Sequence, residues 1–488
     1  MIKLSLKQVC QAVNGQLVGD DLTVSEVFTD TRVQAKNSLF VALVGENFDA
    51  HDFIEQAEQQ GAIALLVSKP VATDLPQVVA KNTETALGQL ANLVRTIVNP
   101  KVVGITGSAG KTSVKEMLAA ILLQAVETPE QVLATQGNFN NHIGVPLTLL
   151  RLTGREKFAV IEMGANHQGE IAYCADIAKP NVTVVNNVAP AHIEGFGSVQ
   201  GVAIAKGEIY QALAADGCAV VNLDSDFSEE YLQQLEQIGC QKLTVSRHNI
   251  PTIGGDNALT HKAATQVDIW AEEIALNEQG NASFELSILD QKTSITLVTP
   301  GIHQVSNALV AAALATSLEI SVEAIKAGLE AAGEVKGRLN RKPGLNGSLI
   351  IDDTYNASVA SVKVAIDLLS GLSGVNCLVL GDMAELGDES ELYHREVGAY
   401  AKQKALSALY AWGDFSRFSV EAFGANGSYF SDKQGLISEL KNSVTAEHNI
   451  LVKGSRSARM EQVVDALVAT TESQNQDEHH LLGGGDPC

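Results

Sequence analysis

Lys101-Val102-Val103-Gly104-Ile105-Thr106-Gly107-Ser108-Ala109-Gly110-Lys111-Thr112-Ser113 is the stretch that decides the fold. Its first six residues have the pattern of a buried strand. A glycine turn follows, then Lys-Thr at the start of a helix expected over about 111–124. Strand, turn and helix start together make an anion site, because backbone N–H groups and the helix dipole converge on one point. Gly107 and Gly110 let the main chain approach a phosphate where a side chain would block it. Lys111 can reach the outer phosphates, and the Thr112 hydroxyl suits Mg²⁺. The common P-loop has four residues between its glycines. Gly107 and Gly110 have two between them, so this is a shorter variant. A plain strand-to-helix turn is the bland alternative; the coincidence of all three features favours a nucleoside triphosphate.

Outward from this loop, apolar runs at 158–163, 182–188 and 219–223 are separated by helical stretches. That alternation predicts a doubly wound, mostly parallel sheet. Residues 265–299 alternate apolar and polar, so antiparallel strands are expected to extend the sheet, and an alanine-rich helix over about 303–318 closes the unit. Before the loop, 1–100 reads as a smaller mixed α/β unit, with strands at 38–43 and 62–68 and a helix over 51–60; Asn99-Pro100 ends it. After it, 319–470 reads as a Rossmann-like α/β unit with strands at 349–352, 377–380, 409–412 and 450–452. Several of these end in Asp, Gly or Lys at the carboxyl edge, where open α/β sheets bind ligands. The chain is thus read as three α/β domains, 1–100, 101–318 and 319–470, with a polar tail from 471 to 488 that is expected to be disordered.

Composition narrows the function classes. With 488 residues and a formal net charge of −23, the chain repels nucleic-acid backbones and carries no basic run to track one. Cys10, Cys174, Cys218, Cys240, Cys377 and Cys488 form no CxxC pair or zinc spacing, and read as reduced cytosolic thiols. No signal-like apolar run opens the chain and no stretch reaches a membrane span, so a cytoplasmic location is expected.

Each further candidate follows a different strand of one sheet, so topology can gather what sequence spacing cannot. Glu162 ends the 158–163 run, where a carboxylate near a phosphate loop is a natural Mg²⁺ ligand. His192 lies in Asn187-Val188-Ala189-Pro190-Ala191-His192-Ile193-Glu194-Gly195, and Lys206 in Ala205-Lys206-Gly207-Glu208. Taken singly, a solvated carboxylate, a loop histidine and a helix lysine are the ordinary readings.

Together with Gly301-Ile302-His303 and Asn307, these motifs resemble the Mur ligase family, ATP-dependent amide-bond ligases of peptidoglycan precursor synthesis. The resemblance spans about residues 26–468. Gly381-Asp382-Met383-Ala384-Glu385-Leu386-Gly387, Asp353-Thr354-Tyr355-Asn356-Ala357 and Lys453-Gly454-Ser455-Arg456-Ser457 are similar to the branch that adds D-alanyl-D-alanine to UDP-N-acetylmuramoyl-tripeptide. What it implies is a three-domain enzyme: the first domain holds the UDP-sugar, the central one ATP, and the last closes over both. Gly107, Ser108, Ala109, Gly110, Lys111, Thr112 and Ser113 would bind phosphates, with Asn307, Arg338, Asp353 and Asn356 around the nucleotide. Thr112 and Glu162 would hold one Mg²⁺, and His192 and Lys206 a second, the lysine being carbamylated. Lys111, Lys206, His192 and Arg338 would be the catalytic set, with Arg338 clamping the γ-phosphate. Thr31, Arg32, Asp49, His51, Asn138 and Asn141 would face the UDP-muramoyl peptide.

Three departures stand out. Thr31 replaces the family's usual Ser, Ala50 its usual Gly, and Ser358-Val359 its Asn-Pro, which removes a rigid turn. The resemblance implies a monomer that takes UDP-N-acetylmuramoyl-tripeptide and D-alanyl-D-alanine, without membrane insertion. The rival readings are the ligase that adds the third stem-peptide residue and, from another class, a P-loop nucleotide-binding regulator. A folate polyglutamate ligase is more distant, since it lacks a domain before the phosphate loop.

Overall fold

The computed structural model describes residues 1–45, 48–190, 192–248, 267–333 and 335–469. The expected disordered tail, 471–488, lies outside the described residues, as does Ala191 of the quoted motif 187–195.

The central element is a nine-stranded sheet. Its order is Gln291–Pro300, Asn281–Ile288, Ile269–Leu276, Gln241–Ser246, Cys218–Asn222, Val182–Val185, Lys101–Thr106, Phe158–Glu162 and Val132–Ala134. The seven strands from Ile269–Leu276 to Val132–Ala134 pair in parallel, and Asn281–Ile288 and Gln291–Pro300 add to Ile269–Leu276 as the expected antiparallel extension. Val102, Val103 and Ile105 are fully buried because helices cover both faces, which is why these strands read as continuous apolar runs. One face packs the helices Lys111–Gln124 and His303–Thr316. The other packs Glu170–Ala178 and Val199–Gln211.

On that second face the core continues into the amino-terminal unit. This unit is a five-stranded sheet in the order Gln16–Val18, Gln77–Val79, Ala62–Val67, Ser38–Val41 and Glu26–Phe28. Its helix Thr83–Val98 joins the two. Asn92 donates to the Ile177 carbonyl at 2.8 Å, and Arg95 donates to those of Ala178 and Lys179 at 2.9 and 2.7 Å. These donors satisfy the carbonyls left over at the end of Glu170–Ala178.

A third sheet runs Asn340–Pro343, Leu349–Asp353, His448–Lys453, Val375–Gly381, Ala408–Trp412 and Gly427–Phe430. Its first strand is antiparallel and was not expected; Pro343 is tolerated there because the strand lies at the sheet edge. The helix expected over 51–60 is instead a 3₁₀ turn, Ala50–Phe53, running into Ile54–Gln59. Asp49 sets that start by accepting the His51 N–H at 3.0 Å. Ala50 needs no positive φ, so replacing glycine there costs nothing. Ser358 likewise does the work of the missing turn: it caps the helix Val359–Ser370 in a reciprocal capping box with Ser361. No helix among the described residues is long and apolar enough to cross a membrane.

Candidate active site

The strand Lys101–Thr106 has Phe158–Glu162 on one side and Val182–Val185 on the other. Strand order reverses here, which opens a crevice at the carboxyl edge. The loop 107–113 spans it. Gly107 has φ +149° and Gly110 φ +77°. A Cβ on Gly110 would lie 2.5 Å from both Asn186 Nδ2 and Asn307 Oδ1, so only glycine fits. The loop docks on the residues after Val182–Val185. Ser108 N–H donates to the Asn187 carbonyl at 2.9 Å, Ala109 N–H to Asn187 Oδ1 at 2.8 Å, and Ser108 Oγ to the Ala189 carbonyl at 3.0 Å. Lys111 folds back, its Nζ donating to the Gly107 carbonyl at 2.6 Å. Burial lowers the pKa of this amine; Glu162 opposes that shift and Arg338 adds to it.

Glu162 joins two regions. Its Oε2 accepts from Thr112 Oγ1 at 2.9 Å, and its Oε1 from Asn140 Nδ2 at 2.8 Å. The carboxylate therefore lies between the phosphate loop and the amide-rich stretch holding Asn138 and Asn141. Asn141 caps that stretch's exit, accepting the Gly144 N–H at 2.8 Å. Asn307 is buried and engaged, its Oδ1 accepting from Asn186 Nδ2 at 3.2 Å and its Nδ2 donating to Gln304 at 2.9 Å.

His192 and Lys206 meet on one ring. His192 stands edge-on to Phe196 with centroids 6.4 Å apart, and the Lys206 ammonium lies 5.8 Å from the same ring's centre. Lys206 is 1% exposed, and no carboxylate pairs with it among the described residues. Burial, with Lys111 adding to it, holds its pKa well below the ordinary 10.5.

The third sheet supplies the opposite wall. Arg338 donates from Nη2 to Thr112 Oγ1 at 3.1 Å and stacks 4.4 Å from the Tyr355 ring centre. Asp353 is paired with Lys453, Oδ2 to Nζ at 2.6 Å, and the same ammonium donates to the Asn356 carbonyl at 2.8 Å. Both are buried. Desolvation raises the Asp353 pKa and lowers that of Lys453, and each partner opposes the other's shift. The walls enclose a cleft of about 2650 Å³, lined by the phosphate loop, Glu162, His192, Lys206, Asn307, Arg338, Asp353 and Asn356. Arg338 Nε and Asn186 Oδ1 are buried beside it with no partner among the described residues.

Asn138 and Asn141 line this cleft; Thr31, Arg32, Asp49 and His51 do not. Arg32 is closed on Asp30 at 2.6 Å, and Thr31 Oγ1 reaches Gln56 at 3.4 Å. His51 is held between Asp49 Oδ1 at 2.5 Å and the Ser68 N–H at 3.0 Å. Sequence reading missed Asn186, Asn140, Lys453 and Tyr355 as site residues. Asn186 and Lys453 were detectable in principle, since each stands at the carboxyl end of a parallel strand.

This geometry has relatives. Residues 105–315 match the Mur ligase middle domain, and 337–456 match the Mur ligase, glutamate ligase domain. The UDP-N-acetylmuramoyl-tripeptide–D-alanyl-D-alanine ligase of Escherichia coli K12 is 45% identical over 469 residues, covering 96% of this chain and 99% of that protein. The crystal structure of MurF from Acinetobacter baumannii superposes with a TM-score of 0.86 at 34% identity, over 95% of this chain and 98% of that one. MurF of Thermotoga maritima, solved in complex with ADP, gives 0.77 at 27% identity, over 93% and 99%. Similar to these proteins over nearly its whole length, the chain belongs to the Mur ligase family, in the branch of the UDP-N-acetylmuramoyl-tripeptide–D-alanyl-D-alanine ligases.

Proposed function

We propose that this chain joins D-alanyl-D-alanine to UDP-N-acetylmuramoyl-tripeptide at the expense of ATP, in the cytoplasm, forming the UDP-muramoyl-pentapeptide of peptidoglycan synthesis. The observation that carries the reading is Arg338, brought by the third sheet to 3.1 Å from Thr112 at the phosphate loop. Two parts of the chain thus share one phosphate site, as a transfer between two bound substrates requires.

In the first step the tripeptide carboxylate attacks the γ-phosphorus, ADP leaves, and an acyl phosphate forms. Two anions must meet. The helix start at Lys111, the Lys111 ammonium and the Arg338 guanidinium offset that repulsion where charge gathers on the phosphoryl oxygens. Arg338 is held in place by Tyr355, and its free Nε remains available to a phosphate oxygen. In the second step the dipeptide amine adds to the acyl carbon, and the tetrahedral adduct expels phosphate. Asn307, Asp353 and Asn356 hold the nucleotide. Asn138 and Asn141 meet the peptide in the cleft, while Thr31, Arg32, Asp49 and His51 hold the UDP end outside it.

The Thr112 hydroxyl and Glu162 carboxylate are hard oxygen donors 2.9 Å apart, which fits Mg²⁺. No group of three His, Cys, Asp or Glu surrounds them among the described residues, in keeping with a metal that also takes phosphate oxygens and water. Bound there, Mg²⁺ would neutralise phosphate charge. Lys206 fits carbamylation: it is buried without a carboxylate partner among the described residues and its pKa is lowered by that burial, and such an amine takes up CO₂, losing a proton, to become a carboxylate-like donor. With His192 it would hold a second Mg²⁺.

Phosphate release tests the function directly. Release is expected only when both UDP-muramoyl-tripeptide and D-alanyl-D-alanine are present, with the pentapeptide as product. Release without an acceptor would make the chain a nucleotide switch. Ligation of a single amino acid to UDP-muramoyl-dipeptide would make it the third-residue ligase.

A further inference from the structure

The run 381–387 follows the strand Val375–Gly381, and the reaction just described gives it no task. It is built rigidly. The Asp382 carboxylate accepts the N–H groups of Asp414, Phe415 and Ser416 at 2.8, 3.1 and 2.8 Å. Met383 N–H donates to Nε2 of the fully buried His394 at 3.0 Å, and the other ring nitrogen of His394 contacts the Ser390 carbonyl at 2.7 Å. Met383 and Leu386 are buried on either side. Between them Glu385 takes a left-handed conformation, φ +63°, that non-glycine residues adopt only when their surroundings hold them there.

Its carboxylate reaches across to the central domain and pairs with His192 through Nδ1. The Glu194 N–H approaches the Glu385 carbonyl at 3.5 Å, so the main chains meet as well. His192 is itself left-handed, at φ +53°. The two atoms are in contact but make no aligned hydrogen bond; once aligned, a carboxylate at Nδ1 would hold the ring with its Nε2 lone pair outward, as metal-ligating histidines are regularly oriented.

We infer that Glu385 is a positioning residue for His192, so that closing the third domain on the central one completes a metal ligand. The inference rests on the reading of His192 and Lys206 as holders of the second Mg²⁺. It links domain closure to metal affinity: the open enzyme lacks the partner that orients the ring.

Mn²⁺ titration of the full-length chain, followed by electron paramagnetic resonance of the free ion, tests this. ADP and UDP-muramoyl-tripeptide are present at saturation. Wild type is expected to take up two ions. E385A should weaken one site about 10- to 100-fold and leave the other unchanged, with E385Q in between. The carboxylate is about half exposed, so the variants should fold, and the melting temperature checks this. If E385A binds both ions like wild type, the inference is overturned even if turnover falls. If H192A also binds both like wild type, the fault lies in the metal reading itself.

Discussion

Two buried lysines line the cleft, and they are not the same kind of residue. Lys453, on the third-domain wall, is closed on Asp353 at 2.6 Å and on the Asn356 carbonyl at 2.8 Å. Lys206, on the central wall, has a phenyl ring and no carboxylate among the described residues. A buried ammonium is stable only when paired. The paired lysine can keep its charge and hold a loop in place. Burial of the unpaired one, with Lys111 near it, holds its pKa well below the ordinary lysine value, as the carbamylation proposed above needs. The difference teaches that burial alone does not define a lysine here: an ion pair compensates it at Lys453, and no carboxylate does at Lys206.

The largest effect should come from the phosphate loop on the central wall. Lys111→Ala should lower kcat by at least about 10³-fold, since an aligned charge at the phosphoryl group is lost. Its melting curve should stay close to wild type; near-normal ligation would remove the phosphate-loop assignment. Lys206→Ala should also be inactive but partly rescued by millimolar short carboxylic acids, which supply the missing carboxylate. An active, unrescued variant would remove the carbamate. On the third-domain wall, Lys453→Met should instead destabilise the fold by about 3–5 kcal/mol, because Asp353 is left buried and unpaired. Adding Asp353→Asn should restore much of that loss in denaturant titrations. If Lys453→Met kept full stability, the contrast between the paired and the unpaired lysine would fail.

A smaller effect is expected from His303, at the start of His303–Thr316. Burial, with Lys453 and Arg247 nearby, lowers its pKa from 6.5 to about 4. The unfolded chain therefore binds the proton first, so stability is lost as pH falls from about 6.5 to 4 and is complete above that window. His303→Gln should flatten this part of the stability profile. The smallest effect is expected at Arg32, which lies exposed on Asp30. Arg32→Ala should leave the melting temperature unchanged and raise only KM for the UDP-substrate.

The same contrast explains what the sequence revealed. Residues 101–124 could be read because strand, turn and helix are consecutive, and a motif with a mechanism sits between them. The parallel sheet could be read because strands buried on both faces are apolar throughout. Glu162, His192 and Lys206 emerged through resemblance, since each motif alone is ordinary. Partners could not be read. Arg338 and Thr112 are 226 residues apart, and Lys453 and Asp353 are 100 apart; only the sheet order brings them together. The 3₁₀ turn at Ala50–Phe53 was missed for a local reason, as Asp49 caps the segment too early for a regular helix. The role of Glu385 depends on a contact between domains that no periodicity encodes.

The central claim is that the phosphate loop passes a γ-phosphoryl group to a peptide carboxylate, and oxygen labelling tests it most directly. UDP-muramoyl-tripeptide carrying ¹⁸O in its terminal carboxylate is turned over with unlabelled ATP, D-alanyl-D-alanine and water, and the released phosphate is analysed by mass. An acyl phosphate predicts one carboxylate oxygen in each phosphate released. Phosphate without label, formed alongside the pentapeptide, would contradict it.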